Sequence, residues 1–275
     1  MIIVAIGAVS MALLNGANWG WASGRIIACW VTAVVATVAF VISSNRSEAP
    51  VVDPKLFRSR VFTSANLAIV VAATIFGLRL LAMSLFLQQS WHWSTISTGL
   101  AIAPGPAAIL VASFVGQRFN ERLRVGVVVA FGFFLVAVGQ ILMIVSLHHV
   151  HSYAKAILPG WILIGMGFGF SIPTIIGSAT HDLPAELSAS GSAVVNSARQ
   201  IGGVFGASIL VVILGSAAVT GDTTRYYDLW WLAAGLCAVA AILSLGLTPA
   251  QPPEEGDAAS QTESELVDLA VGPMP

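Results

Sequence analysis

Arg79 is the first residue to consider for chemistry. It is the thirteenth of 21 residues in the apolar run 67–87, so a guanidinium sits in the middle of a long oily segment. An arginine at the centre of a bilayer-spanning helix costs about 2.5–3.5 kcal/mol on insertion scales. Such a group needs water, a carboxylate or an anionic ligand. The apolar runs contain no Asp or Glu, and the nearest acids, Asp222 and Asp228, lie at the edge of the last run. Arg79 is therefore expected to face a wet cavity, a carboxylate from another chain or an anionic substrate group. Snorkelling through a thinned bilayer is the alternative. Gln88, Gln140 and Asn196 are further polar candidates for lining a substrate path.

A second set of residues carries a spacing. Ser192, Asn196, Arg199, Gly203 and Gly206 recur at helical intervals and form one stripe, with Gln200 and Gly202 beside it. Glycines four apart let two helices approach closely. The stripe reads either as a cytoplasmic gate or as a packing face whose arginine snorkels to the membrane edge. Pro104, Pro106 and Pro173 are expected to bend helices, as moving transporter elements do. Gly165, Gly167 and Gly169 lie in an apolar run with no strand before them, so close helix packing is expected rather than nucleotide binding. His148, His149 and His151 cluster without a Cys or carboxylate beside them, and no metal site is expected. Cys29 and Cys237 fall in apolar runs and read as small buried hydrophobes. With no catalytic triad and no paired carboxylates, neither an enzyme nor a cofactor is expected.

The elements that position these residues follow from composition. Hydrophobic residues are 57% of the 275 and charged residues 9%, where a soluble chain has about 25% charged. The formal net charge of −1 lacks the basic footprint that nucleic-acid binding needs. The apolar runs are continuous rather than alternating, so they read as helices crossing a lipid bilayer. Eight are expected, at 1–14, 26–43, 67–87, 95–115, 125–146, 156–177, 201–219 and 229–247. The first is short for a core of about 30 Å unless it extends to Trp19. Met1 enters it with no basic region before it, so no signal peptide is expected.

Lys and Arg concentrate in alternate connections, among them Arg46, Lys55, Arg58, Arg60, Arg118, Arg122 and Arg124. By the positive-inside rule both termini are cytoplasmic, in an integral plasma (inner) membrane protein. Trp19, Trp21, Trp91, Trp93, Trp161, Trp230 and Trp231 fall at the opposite ends, where an aromatic belt belongs. The organisation read from this is a two-helix unit at 1–45, an amphipathic cytoplasmic linker at 46–61 and a six-helix bundle at 62–248. A disordered acidic tail at 249–275 completes it. Within the linker, Asp53-Pro54 reads as a helix N-cap and Lys55 to Arg60 as a short basic surface helix.

The segment from Pro184-Ala185-Glu186 through Ser190-Gly191-Ser192, Asn196, Arg199-Gln200 and Gly202-Gly203 to Gly206 resembles a family pattern. It is similar to the penultimate helix of major facilitator superfamily transporters, in the fourteen-span drug–proton antiporter branch. Pro50 to Arg60, Gly77 to Gln88-Gln89, Gly99 to Pro104-Gly105 and Leu158-Pro159-Gly160 to Pro173 resemble other stretches of that branch in order. The likeness covers nearly all of residues 1–250. Glu121-Arg122 looks like the superfamily's acid–basic loop pair, one residue late and without the second glycine. The resemblance implies a cytoplasmic latch there, while the residues alone read equally as a positive-inside loop.

The resemblance implies the two central spans and the last six of a proton-coupled exporter of amphipathic compounds, with its first six spans absent. Apolar residues are usual in the family at the position of Arg79. Coupling carboxylates would come from the absent half or a second copy. The partners expected are the lipid bilayer, a small-molecule substrate and that second bundle. The competing expectation is a non-transporting scaffold subunit built on the same helices.

Overall fold

The computed structural model describes residues 2–20, 22–46, 56–57, 59–120, 123–149, 152–181, 183–215, 223–245 and 247. Nine helices appear among them: α1 (Ile2–Trp19), α2 (Gly24–Arg46), α3 (Arg60–Gln89), α4 (Thr95–Ile102), α5 (Pro104–Asn120), α6 (Val125–His149), α7 (Leu158–His181), α8 (Ala185–Leu214) and α9 (Thr224–Leu245). A wide π-helical turn, Tyr153–Ile157, leads into α7. Six spans among the described residues are long and apolar enough to cross a membrane: α3, α4 with α5, α6, the turn with α7, α8, and α9. The chain is an all-helical, polytopic membrane protein.

Lipid provides no hydrophobic drive between helices, so the bundle rests on close approach and van der Waals contact. Glycines supply it. In α7, Gly165 faces Gly105 and Ala108 of α5, and Gly169 faces Ile109 and Ala112 of the same helix. Gly160 and Gly167 face the other way, onto Gly139, Met143, Gly132 and Val136 of α6. Thus α7 is clamped between α5 and α6 through backbone seams on two sides, as the glycine-rich run predicts. Likewise α3 lies along α8, α9 spans α6 and α3, and α1 pairs with α2 and touches α8. The outward residues are as oily as the interior: Ile96 is 78% exposed, Leu100 71% and Phe114 72%. Only lipid or another apolar surface suits such a face.

The structure departs from the hydropathy reading at α8. The expected span began at residue 201, yet the helix starts at Ala185. The polar stretch through Ser192, Asn196 and Arg199 is therefore helical, as its spacing predicts, although it precedes the apolar run. Thirty residues at ~1.5 Å each reach about 45 Å, more than the hydrocarbon thickness, so one end of α8 stands beyond it. The first helix runs to Trp19, the extension weighed for it, but neither α1 nor α2 is among the six spans of the described residues long and apolar enough to cross a membrane, where the sequence reading expected eight. The third begins at Arg60, where the Ser59 hydroxyl accepts from the Phe62 N–H at 3.3 Å. Just before that cap, Leu56 is buried in the bundle core and Phe57 packs edge-on against Phe62. The expected Asp53-Pro54 cap and the tail 249–275 lie outside the described residues.

At the Gln89 end of α3 an aromatic cluster closes the bundle. Phe86 meets Trp91, Tyr226 and Trp230, and the Tyr226 hydroxyl donates to Gln89 Oε1 at 2.8 Å. Trp230 and Trp161 were expected in an interfacial belt. Both are buried against neighbouring helices, while Trp231 beside Trp230 is 54% exposed.

Candidate functional site

Ten residues separate Arg79 from Gln89, the end of α3. At ~1.5 Å per residue the arginine lies about 15 Å from that end of a helix about 45 Å long. Its side chain is 2% exposed. The guanidinium carbon stands 5.3 Å from the centroid of the Trp161 ring, within cation–π range. Nε and Nη1 are buried and have no hydrogen-bond partner. Cys237 of α9 is near enough to interact electrostatically, but it offers only a thiol. The one acid whose side chain is described, Asp228, is exposed near the start of α9.

Arg79 lines a small cleft of about 20 Å³. Phe76 and Leu80 of α3 form one wall, and Gly105, Pro106 and Ile109 of α5 the other. Trp161, Ile164, Gly165 and Phe168 of α7 make the floor. One broken helix shapes it. Pro106 has no N–H, so the Ile102 carbonyl loses its helical donor, and Pro104 deprives Leu100 in the same way. The chain breaks between α4 and α5 at Ala103. Two aromatic side chains from the α7 segment repair the exposed backbone. Trp161 Nε1 donates to the Ile102 carbonyl at 3.0 Å, and the Tyr153 hydroxyl donates to the Ala101 carbonyl at 2.6 Å. The indole fits because residue 105 is glycine: a Cβ there would stand 2.5 Å from Trp161 Nε1.

The structure brings Arg79 and Pro106 together in this cleft, with Pro104 at the start of the same helix as Pro106, and places the other candidates elsewhere. Gln88 Nε2 donates to the Ser84 hydroxyl at 3.0 Å, half-buried near the end of α3. Gln140 of α6 is fully buried, and neither its Oε1 nor its Nε2 has a partner. Asn196 Oδ1 accepts from Arg199 Nη2 at 3.1 Å, both side chains and Gln200 being exposed on α8. Gly202 and Gly206 form the close seam with α3, against Val70 and Thr74, while a Cβ on Gly203 would meet nothing within 4 Å. Pro173 lies inside α7. Glu121 and Arg122 lie outside the described residues.

Sequence reasoning missed Trp161 as a partner of Arg79. Its neighbours Gly160 and Gly165 were the available signal, since they mark a part of α7 that other helices approach closely. A second cleft, of about 510 Å³, lies between the two-helix unit and the bundle, lined by Val9, Phe40, Val70, Ile201, Phe205 and apolar neighbours.

The sequence that builds these spans has known relatives. Residues 1–207 match the Major Facilitator Superfamily. The chain belongs to that superfamily. Among its relatives, the multidrug resistance protein Stp of Mycobacterium tuberculosis is 31% identical, over 78% of this chain and 39% of its own length. The methylenomycin A resistance protein of Streptomyces coelicolor is 27% identical, over 91% of this chain and 52% of its own. The multidrug export protein EmrB of Haemophilus influenzae is 28% identical, over 76% and 41%. The chain thus spans about half the length of these superfamily relatives, or less. Membership and helix architecture together make it an integral, multi-pass membrane protein.

Proposed function

We propose that this chain is the C-terminal part of a proton-coupled exporter of amphipathic small molecules; relatives named for multidrug resistance and multidrug export support the export part of this reading. It forms one wall of the passage. The observation that carries this is the α3–α5–α7 cleft: a concavity within the apolar spans holding an unneutralised cation beside a broken helix. Buried ionisable groups within such spans are costly and mark substrate or ion pathways. Discontinuous helices are where transporters place their sites. The described spans hold no carboxylate beside this cleft. Proton coupling therefore falls to acids on the bundle that closes the other side, an N-terminal six-span unit or a second copy. In this reading both termini face the cytoplasm across the plasma membrane.

The test is dye efflux from proteoliposomes under an imposed proton gradient. The chain is reconstituted alone and together with the first six spans of the mycobacterial relative Stp. Gradient-dependent flux in either arrangement supports the reading. Absence of flux in both overturns it and favours the scaffold role.

A further inference from the structure

We infer that the Arg79 pocket is a receptor for one carboxylate oxygen of a molecule that does not belong to this chain. The inference deepens the transport reading and rests on it for the claim that the ligand is a substrate. It rests on the pocket alone for the claim that a carboxylate binds.

The guanidinium is nearly sealed, and Trp161 satisfies only its face. A cation–π contact leaves the in-plane N–H groups free, and those of Nε and Nη1 have no acceptor. Two of the carbonyls at the helix break are already engaged, and that of Leu100 belongs to a residue 71% exposed on the outer face. Trp161 occupies that of Ile102 and Tyr153 that of Ala101. No acid of the described spans reaches this depth, and an arginine cannot shed its charge there. The unmet requirement is thus an acceptor that also carries negative charge, which water does not supply.

Size narrows the ligand further. A cleft of about 20 Å³ holds one water-sized atom and excludes a whole drug-sized molecule. One anionic oxygen enters it, while the rest of the ligand lies at the mouth against Phe76, Leu80, Pro106 and Ile109. None of these four is fully buried, and all are apolar. An apolar or aromatic body bearing a single carboxylate fits both parts. The carboxylate has two possible sources: a diffusible organic acid, or an Asp or Glu side chain of the bundle that faces this one.

The experiment uses the purified chain in detergent micelles, followed by thermal unfolding. Three titrants are compared at equal ionic strength: sodium benzoate, benzylammonium chloride and sodium chloride. Benzoate is expected to raise the midpoint, with a shift growing as the logarithm of its concentration above Kd. Benzylammonium gives no such shift. Arg79→Met abolishes the benzoate shift, and Arg79→Lys retains part of it, which guards against a variant that fails to fold. An equal shift with chloride assigns the pocket to a small inorganic anion and overturns the carboxylate claim. No shift in the wild type, or the same shift in Arg79→Met, also overturns it. If wild-type protection by benzoate disappears when the Stp six-span unit is co-purified, a side-chain carboxylate of that unit fills the pocket; if it persists, the source is diffusible. Arg79-dependent protection without flux in proteoliposomes leaves the receptor standing and sinks the transport reading, and flux without protection does the reverse.

Discussion

The indole of Trp161 donates to the carbonyl of Ile102, the acceptor whose own helical donor is missing because residue 106 is proline. One side chain therefore completes the backbone of a neighbouring helix. The same ring is the surface over which Arg79 lies. Helix break and buried cation share a single aromatic residue, so a change in the bend of α4–α5 reaches the arginine directly.

Replacing Pro104 and Pro106 together by Ala returns both N–H groups and lets α4 continue into α5. The chain is expected to gain about 1 kcal/mol from each restored backbone bond, while transport falls because the bend is lost. Thermal unfolding and dye flux, measured on the same preparation, check both halves. A loss of stability would show that packing, and not proline, imposes the break.

Gly105→Ala tests the fit of the indole. The added methyl stands 2.5 Å from Trp161 Nε1, and overpacking of this kind costs about 1–3 kcal/mol. In a Trp161→Ala background most of that cost should vanish. The double-mutant coupling read from unfolding midpoints decides it.

Two glycines three residues apart on α8 should behave oppositely. A Cβ on Gly206 presses on the Thr74 carbonyl and stands 2.7 Å from the Leu78 nitrogen, whereas one on Gly203 meets nothing within 4 Å. Gly206→Ala is expected to cost about 1–3 kcal/mol through backbone separation of α3 and α8. Gly203→Ala should stay within about 0.5 kcal/mol of the wild type. Equal effects would mean that α8 is rotated relative to the seam described.

Arg79→Met should stabilise the chain alone. Removing a buried charge that lacks a counter-ion relieves its desolvation, and well-packed apolar replacements of buried ionic groups gain about 1–4 kcal/mol. The same variant should lose flux. A lower unfolding midpoint would instead make Arg79 a structural post held by Trp161.

Much of the fold was legible because lipid permits few solutions. A continuous apolar run must satisfy its backbone internally, so the runs around Ile75, Val136 and Leu210 read as helices without further information. The glycines of α7 were legible as a packing device for the same reason. The start of α8 was not. Ser192, Asn196 and Arg199 lower the hydropathy there without breaking the helix, so composition marked only where the oil begins. The candidate site was half legible, since a lone arginine among apolar residues declares its own cost. Gln140 and Asn196 declared a similar polarity, yet one is sealed inside α6 and the other pairs with Arg199.

The amino-acid order alone determined the membrane solvent, the helices, the places where Pro104 and Pro106 withhold a donor, and the unpaired charge at residue 79. These are properties of single residues and their immediate neighbours along the chain. Which side chain completes the Ile102 carbonyl, which ring lies under Arg79, and at which of Gly202, Gly203 and Gly206 a Cβ would press into α3 were decided only by tertiary structure. Each depends on the rotation of one helix against another, and that rotation is set by the summed contacts of residues far apart in sequence.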